Sequence, residues 1–209
     1  MKLVKTKDGS YTAYNEVANE HYHTISGAIE EAFGKHVNAL GIDNGMKILD
    51  FCFGLGYNSI AACKNHSNLQ IIALENDIKI IEAMRNIEIP DILKTEFEPF
   101  KDIARSLNVT DGNNNKIQIL LGDALRRIDE LPEKSFDRVF FDPFSPKKQS
   151  EMWSESIFKK IYTKMKIGAK LSTYSCAKQI RKNMVSAGFK VIDGPIVGRK
   201  SPATIALKE

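Results

Sequence analysis

Residues 47–62, KILDFCFGLGYNSIAA, join an apolar run, a turn with two glycines and the start of an amphipathic segment. The run 47–51 predicts a buried strand, and the segment that opens at Asn58 predicts a helix. Gly54 and Gly56 stand between them, where the backbone must turn tightly and lie so close to a ligand that a β-carbon would clash. This strand, turn and helix predict a nucleotide-like ligand at the end of the strand.

The rest of the chain alternates between strand-like and helix-like patterns. Such alternation predicts a mostly parallel sheet with helices on both faces, and with 47–51 the apolar runs make seven strands. The stretch 90–112 has a weaker period and predicts one extra helix. The further runs lie at 70–74, 117–121, 137–141, 170–174, 190–192 and 203–207, and the helical patterns at 78–86, 124–130, 156–165 and 177–187.

The first forty residues differ from this pattern. Two alternating runs flank Asp8-Gly9, which is a strong signal for a β-hairpin, and a helix is expected over 24–40. With 209 residues the chain suits one domain. We therefore expect a single α/β domain over 1–209, with an addition at 1–40 and a Rossmann-like core at 41–209.

Composition limits the class of protein. Apolar residues are 43% and charged residues 27% of the chain, as in soluble globular proteins. Neither a signal peptide nor an apolar stretch of ~18 residues is visible, so no membrane association is expected. The three cysteines, Cys52, Cys63 and Cys176, form no CxxC pair. That number and spacing favour a reducing, cytoplasmic compartment without a disulfide framework or a zinc site.

Charge is unevenly distributed along the chain. Residues 143–209 hold 14 Lys or Arg against 4 Asp or Glu, whereas residues 1–142 hold 16 against 22. Such a basic segment favours a polyanionic partner such as nucleic acid, because each neutralised phosphate releases counterions. A solvated lysine-rich surface is the alternative interpretation.

Acids follow each of the first three core strands. Asp50 ends the first, Glu75 ends the second and can accept both ribose hydroxyls, and Asp123, before Ala124, could accept from an adenine amino group. A turn cap, a solvated strand end and a helix N-cap are the structural alternatives. The ordered trio resembles the class I S-adenosylmethionine-dependent methyltransferases, whose positively charged sulfonium suits an acid-lined pocket. Ser59 replaces the third glycine of nicotinamide-dependent oxidoreductases, which are a remote alternative.

Three further residues near this edge have an ambiguous role. Cys52 replaces the usual first glycine of the methyltransferase loop, and we interpret it as a packed residue rather than a nucleophile. His23 is interpreted as a structural hydrogen-bonding histidine, although it could line the cofactor pocket. Tyr174, at the end of the fifth strand, is either pocket wall or core.

The fourth strand runs into Asp142-Pro143-Phe144, which resembles the fourth motif of methyltransferases that act on amino nitrogens. The amine must be neutral, aimed at the sulfonium methyl and screened from water. We expect Asp142 to accept a hydrogen bond from the amine and to take up a proton, directly or through water. Phe141, Phe144 and Trp153 would supply apolar walls or stacking faces. A proline turn with a capping aspartate is the alternative.

More of the chain resembles the methyltransferase domain of the MnmC family of tRNA-modifying enzymes. The matching segments are 142–148, 151–153, 171–175, 180–181, 187–189 and 198–200, with 8–10, 22–23 and 27–28 near the start. The resemblance implies methylation of the aminomethyl nitrogen on C5 of the tRNA wobble uridine, which can also be 2-thiolated. It implies Asp142 as the catalytic acid. The implied cofactor positions are Gly54, Asn58, Glu75 and Asp123, and we also expect Asp50, Gly56 and Ala124 to bind the cofactor.

The same resemblance implies a tRNA partner bound through its anticodon region. Exposed cations are candidates for phosphate contacts. S-adenosylmethionine is the implied cofactor, with no FAD and no metal. The flavin-dependent half of bifunctional MnmC is absent, so separate enzymes are expected to supply the aminomethyl precursor. Asp142-Pro143 replaces the Asp-Gly common in the bifunctional form, a difference that bears on the substrate range. The candidate cations are Lys147, Lys148, Arg181, Lys182, Arg199 and Lys200.

Two other functions are compatible with the sequence. One is a methyltransferase or aminopropyltransferase that acts on a small free amine such as a polyamine, for which the basic segment has no role. The other is a non-catalytic RNA-binding protein that kept the fold, which would not need the four acids at the strand ends.

Overall fold

The computed structural model describes residues 2–209. The strands are β1 (Lys2–Lys5), β2 (Tyr11–Asn15), β3 (Glu20–His21), β4 (Lys47–Phe51), β5 (Gln70–Glu75), β6 (Asn108–Thr110), β7 (Lys116–Leu121), β8 (Phe136–Phe141), β9 (Met165–Thr173), β10 (Lys190–Asp193) and β11 (Thr204–Leu207). The helices are α1 (Ala28–Glu31), α2 (Asn38–Leu40), α3 (Tyr57–Cys63), α4 (Ile78–Ala83), α5 (Asp91–Phe97), α6 (Ile103–Ser106), α7 (Ala124–Arg127), α8 (Glu155–Lys164) and α9 (Lys178–Ser186). A π-helical segment (Ala32–Val37) joins α1 to α2.

The main sheet has the order β10-β11-β9-β8-β4-β5-β7-β6. Strands β4, β5, β7, β8 and β9 pair in parallel, while β11 runs antiparallel to both of its neighbours. One apolar cluster packs α3 to α6 on one face, and a second packs α7 to α9 on the other. The predicted α/β fold with helices on both faces is therefore confirmed. Burial on both faces is also why apolar residues dominate β4 and the second half of β8.

The sheet has eight strands rather than the predicted seven. The extra strand, β6, pairs antiparallel with β7 at the edge of the sheet. It has only three residues, Asn108, Val109 and Thr110, which is too short for a recognisable alternation. The single helix predicted for 90–112 is consequently wrong, since that stretch holds α5, α6 and β6.

The amino-terminal addition also differs from its prediction. The hairpin of β1 and β2 is extended by β3 into a three-stranded antiparallel sheet. The helix expected from residue 24 begins at Ala28. Its first turn is capped from the hairpin, because the Ala28 N–H donates to Ser10 Oγ (3.1 Å) and the Glu30 N–H donates to Asp8 Oδ2 (3.0 Å). These bonds satisfy amide groups that a helix start leaves unpaired.

In residues 2–209 no helix is both long and apolar enough to cross a membrane.

Candidate active site

The first cavity lies at the carboxyl ends of β4, β5 and β8. Here β4 is flanked by β5 on one side and β8 on the other, which is the switch point where open α/β sheets bind ligands. Its space is about 500 Å³ when the open solvent at its mouth is included. The lining residues are Tyr22, Cys52, Gly54, Leu74, Glu75, Asn76, Ala124, Asp142, Phe144, Gln149 and Met152.

Glu75 is a fixed polar group in this wall. Its Oε2 accepts a hydrogen bond from the Gly54 N–H (2.8 Å), and its Oε1 accepts from the N–H groups of Asn76 (2.8 Å) and Asp77 (2.9 Å). Burial raises the pKa of this carboxyl, although the three donors favour its ionised form. Gly54 has φ +57°, and a β-carbon there would lie 3.3 Å from the Tyr22 ring. The expected neighbours Gly54, Glu75 and Ala124 therefore do line one cavity.

Asp50 and Gly56 support the loop without lining the cavity, contrary to expectation. Asp50 is fully buried and its Oδ2 accepts from Ser59 Oγ (2.6 Å), while Oδ1 has no partner in residues 2–209. Burial raises the pKa of Asp50 well above its usual value. Gly56 has φ +74°, and the Phe53 ring fills the place of its missing β-carbon at 2.5 Å. Both residues thus fix the loop from its inner side.

Asp123 caps α7 with its side chain. The carboxylate accepts from the Leu125 N–H (2.9 Å), and the residue is exposed and outside the cavity walls. This hydrogen bond confirms the alternative interpretation of Asp123 as a helix N-cap. Of this pair of predicted cofactor residues, Ala124 is the one that lines the cavity.

Cys52 adopts a left-handed backbone conformation with φ +76°. A β-carbon makes this conformation unfavourable by roughly 1–2 kcal/mol, so the loop keeps the shape that a glycine would adopt freely. Burial raises the pKa of the Cys52 thiol well above its usual value, which keeps the thiol protonated. A protonated thiol fits the interpretation as a packed residue rather than a nucleophile.

Asp142 follows β8 and borders two cavities. Its side chain is 15% exposed, and its Oδ2 accepts from Asn58 Nδ2 (3.2 Å) and lies 3.8 Å from His36 Nε2. Burial raises the pKa of Asp142, opposed mainly by the nearby His23. Asn58 lines neither cavity. Its side-chain amide contacts Asp142, whereas the family resemblance predicts a contact with the cofactor.

A second cavity also borders Asp142, with about 650 Å³ of space when the open solvent at its mouth is included. It shares Tyr22, Asp142 and Phe144 with the first cavity, and the rings of Tyr22 and Phe144 pack 4.9 Å apart. Asp142 and these two packed rings are therefore the walls that the two cavities share. The lining residues are Glu20, His21, Tyr22, His23, Thr24, Glu31, Lys35, His36, Asp142, Pro143, Phe144, Tyr174 and Arg199.

Most of the second cavity comes from the amino-terminal addition, and several of its polar residues had no signal in the sequence. Lys35 is 3% exposed and forms an ion pair with Glu31 one turn earlier. His36 is 1% exposed, and its Nδ1 shares a hydrogen bond with Ser172 Oγ (2.8 Å). Burial lowers the pKa of His36 to about 3, which keeps the ring neutral. Glu31 and Lys35 are four residues apart, which predicts an ion pair on a helix surface but does not indicate a cavity.

The aromatic residues near Asp142 separate into wall and core. Tyr174 and Phe144 line the second cavity, and Tyr174 Oη donates to the Pro143 carbonyl (3.2 Å). Trp153 is 1% exposed and Phe141 is fully buried, so the expectation that they offer faces to a substrate is wrong. Trp153 Nε1 instead donates to the Phe144 carbonyl (2.8 Å) and holds the loop after β8. Their apolar bulk fills the second core cluster.

His23 makes no side-chain hydrogen bond that the structure shows. Its ring packs edge-on against Tyr57 at 5.3 Å, and its Nε2 is buried without a partner in residues 2–209. The hydrogen bonds of this residue come from its backbone, which exchanges bonds with Thr12 Oγ1. The interpretation as a structural hydrogen-bonding side chain is therefore wrong.

The candidate phosphate-binding cations fall into two groups. Arg181 donates to Asp193 Oδ1 (2.6 Å), Thr204 Oγ1 (3.0 Å) and the Ala203 carbonyl (3.2 Å), so its guanidinium joins α9 to the end of the sheet. Arg199 borders the second cavity and lies 5.9 Å from the centre of the Tyr174 ring. The exposed members are Lys147, Lys148, Lys182, Arg199 and Lys200.

Comparisons with known proteins agree with this geometry. A family model described as S-adenosyl-L-methionine-dependent methyltransferase matches residues 90–209. An uncharacterised protein of Methanocaldococcus jannaschii is 32% identical over 99% of this chain and 59% of its own length. A tRNA 5-methylaminomethyl-2-thiouridine biosynthesis bifunctional protein, MnmC of Leptospira interrogans, is 28% identical over 93% of this chain and 33% of its own length.

Solved structures give the same result. The crystal structure of MNMC2 from Aquifex aeolicus covers the whole chain and 70% of its own, with a TM-score of 0.80 and 27% identity. A spermidine synthase has a TM-score of 0.63 at 16% identity, which shows a shared fold alone. The chain spans about a third of the length of the MnmC relative named above. The chain belongs to the S-adenosyl-L-methionine-dependent methyltransferase family and is related to the methyltransferase part of MnmC.

Proposed function

We propose that this methyltransferase methylates the aminomethyl nitrogen on C5 of the tRNA wobble uridine. The cofactor occupies the first cavity and the modified base enters the second. The observation that carries the proposal is the position of Asp142, which borders both cavities beside Tyr22 and Phe144. An acceptor amine in the second cavity can there meet an electrophile in the first.

The first cavity suits S-adenosylmethionine. Glu75 is held by three backbone donors with its carboxylate at the wall, where it can accept hydroxyl donors from a ribose. Glu75 and Asp142 place two carboxyls in the wall of the first cavity, which favours a ligand with positive charge. S-adenosylmethionine supplies an electrophilic methyl group on a sulfonium.

Asp142 orients the amine in this proposal. Its Oδ2 is already fixed by Asn58, so its remaining lone pairs can accept an N–H of the acceptor and aim the nitrogen lone pair. The rings of Tyr22 and Phe144 form an apolar wall around the junction and screen it from water. A primary amine is then the substrate group that the junction fits.

The RNA contacts lie around the mouth of the second cavity. Arg199 borders that cavity, and Lys147 and Lys148 follow the Asp142 loop at exposed positions. Exposed cations next to such a cavity suit the phosphates that flank a base turned out of the anticodon stack. The substrate in this proposal is RNA that already carries the aminomethyl group, and methyl transfer from a sulfonium to an amine requires neither FAD nor metal.

Nucleoside mass spectrometry of tRNA tests the proposal. A strain without this protein should accumulate 5-aminomethyluridine, or its 2-thio form, at the wobble position. Purified protein with S-adenosylmethionine should convert that nucleoside to the methylaminomethyl form in vitro. Unchanged nucleosides in the deletion strain together with no conversion in vitro would overturn the proposal.

Two competing functions give different outcomes in the same assay. An enzyme for small amines would methylate putrescine or spermidine without RNA, and its rate would not depend on salt. A non-catalytic RNA-binding protein would bind tRNA but not S-adenosylmethionine. The ordered Glu75 carboxylate in the wall of the first cavity argues against the second of these.

A further inference from the structure

We infer that His23 is the base that removes the proton from the acceptor ammonium before methyl transfer. This role rests on the proposed function. The imidazole lies in the wall of the second cavity together with Asp142. Its Nε2 is buried and has no hydrogen-bond partner in residues 2–209. A buried polar atom of this kind is rare and requires an explanation.

The direction of Nε2 places it at the junction of the two cavities. The nitrogen lies 3.8 Å from the point where a β-carbon of Gly54 would stand. Gly54 belongs to the first cavity, and His23 itself belongs to the second. The unpartnered nitrogen is therefore buried in the wall next to the loop of the first cavity, and the residue that carries it lines the second.

The surroundings hold the ring in position and neutral. The Tyr57 ring packs against it at 5.3 Å, and the backbone of His23 is tied to Thr12 Oγ1. Burial lowers the pKa of His23, against the opposing effect of Asp142. A neutral imidazole can accept a proton at neutral pH, whereas a protonated one cannot. The charged or titratable groups around the ring are Asp8, Glu31, Lys35, His36, Tyr22, Tyr57 and Asp142.

The two residues then divide the work. An alkylammonium has a pKa of about 10, like that of lysine, and is almost entirely protonated at neutral pH. His23 Nε2 takes one N–H proton, and Asp142 accepts a hydrogen bond from the neutral amine. The nitrogen lone pair forms the N–C bond as the sulfonium S–C bond breaks, and that electron pair stays on sulfur. The product leaves as a secondary ammonium, and the His23 proton passes to solvent.

A pH–rate profile of His23→Gln tests this role. The probe is an anticodon stem-loop RNA with 5-aminomethyluridine at the wobble position. A general base contributes typically 10²–10⁴-fold, so we expect kcat/KM to fall about 100-fold at pH 7. Neutral amine is about 100 times more abundant at pH 9 than at pH 7, so the deficit should nearly vanish there. Added imidazole should restore part of the activity of His23→Ala at pH 7.

His66→Gln is the matched control, because His66 bonds the Ala62 carbonyl at the end of α3, outside both cavities. It should keep the wild-type profile, and the affinity of His23→Gln for S-adenosylmethionine should be unchanged. A deficit that is equal at pH 7 and pH 9, without imidazole rescue, would overturn the inference while the wild-type activity upholds the proposed function. A wild-type enzyme that never methylates this RNA would instead overturn the proposed function.

Discussion

At the scale of single residues, Cys52 stands where the methyltransferase loop usually has its first glycine. It stands at φ +76°, where only glycine is free of strain, and it lines the first cavity. Its half-buried side chain packs against the second core cluster. The sequence shows the missing glycine but not whether the loop changes shape, because strain of this size is easily outweighed by the surrounding contacts.

Cys52→Gly should therefore raise the free energy of unfolding by about 0.5–1 kcal/mol, as relief of the left-handed conformation outweighs the lost thiol packing. Urea titration measures the change. Cys63→Gly is the matched control and should lower the free energy of unfolding, because Cys63 is fully buried in α3. A large loss of stability in Cys52→Gly would contradict the strain argument.

Asn58 is the residue whose role the structure changes most. The family resemblance assigns it to the cofactor, but its Nδ2 donates to Asp142 Oδ2 at 3.2 Å. We expect Asn58→Ala to lower kcat about tenfold, since Asp142 loses a partner that fixes its orientation. Calorimetry should give an unchanged affinity for S-adenosylmethionine. A large loss of cofactor affinity with unchanged kcat would restore the cofactor role.

At the scale of elements, the strand ends explain the electrostatics of the site. Asp50, Glu75 and Asp142 end or follow β4, β5 and β8, and burial raises the pKa of each. Raised values in the folded protein mean that their contribution to stability is present below the unfolded pKa of about 4. It is lost as the pH rises through the folded values.

A sulfonium near these carboxyls favours their ionised forms. Binding of S-adenosylmethionine should thus release protons, and its affinity should rise roughly tenfold between pH 5 and pH 8. The product S-adenosylhomocysteine has a neutral thioether and serves as the control, with a weaker pH dependence. Calorimetry in buffers of different ionisation enthalpy measures both effects. The same pH dependence for the two ligands would contradict this account of the acids.

Elements also differ in how well the sequence predicts them. All seven apolar runs became strands. Five of them pair in parallel, and parallel strands that are buried on both faces are mostly apolar in sequence. The π-helical segment Ala32–Val37 was not predictable, since its register depends on a distant contact. A β-carbon at Gly34 would lie 2.7 Å from Val197 Cγ2, so this helix packs tightly on the carboxy-terminal loop. That segment carries Lys35 and His36 into the second cavity, which is why the sequence did not reveal them.

At the scale of the whole molecule, the sequence predicts the first cavity but not the second. The first is built mainly at the carboxyl ends of strands, and the apolar runs in the sequence predict where those strands end. The second forms where the amino-terminal addition meets the loop that follows β8, so that His36 lies 3.8 Å from Asp142 despite their distance in the sequence. Such long-range contacts depend on packing that no local pattern encodes. The family resemblance includes residues 22–23, which line the second cavity, but it did not indicate what these residues do there.

The uneven charge gives a prediction at the same scale. The paired change of Lys147 and Lys148 to Ala should weaken binding to tRNA and reduce the slope of log K against log salt by roughly 1.5, because two phosphate contacts are lost. Arg181→Ala is the control: its bonds to Asp193 and Thr204 are internal, so it should cost about 1 kcal/mol of stability and leave the slope unchanged. Filter binding at several salt concentrations measures the slopes. An unchanged slope in the lysine variant would remove these residues from the RNA surface.

Methyl transfer from labelled S-adenosylmethionine to RNA by wild type and Asp142→Asn tests the central claim most directly. The substrates are stem-loops that differ solely in having 5-aminomethyluridine or uridine at the wobble position. The junction of the two cavities at Asp142 predicts label on the aminomethyl RNA alone and a loss of about 100-fold or more in the variant. Cofactor affinity should fall by less than about tenfold, because one carboxylate in the wall of the first cavity loses its charge, and this is too little to explain the loss of transfer. Equal transfer by the two proteins, or equal labelling of the two RNAs, would contradict it.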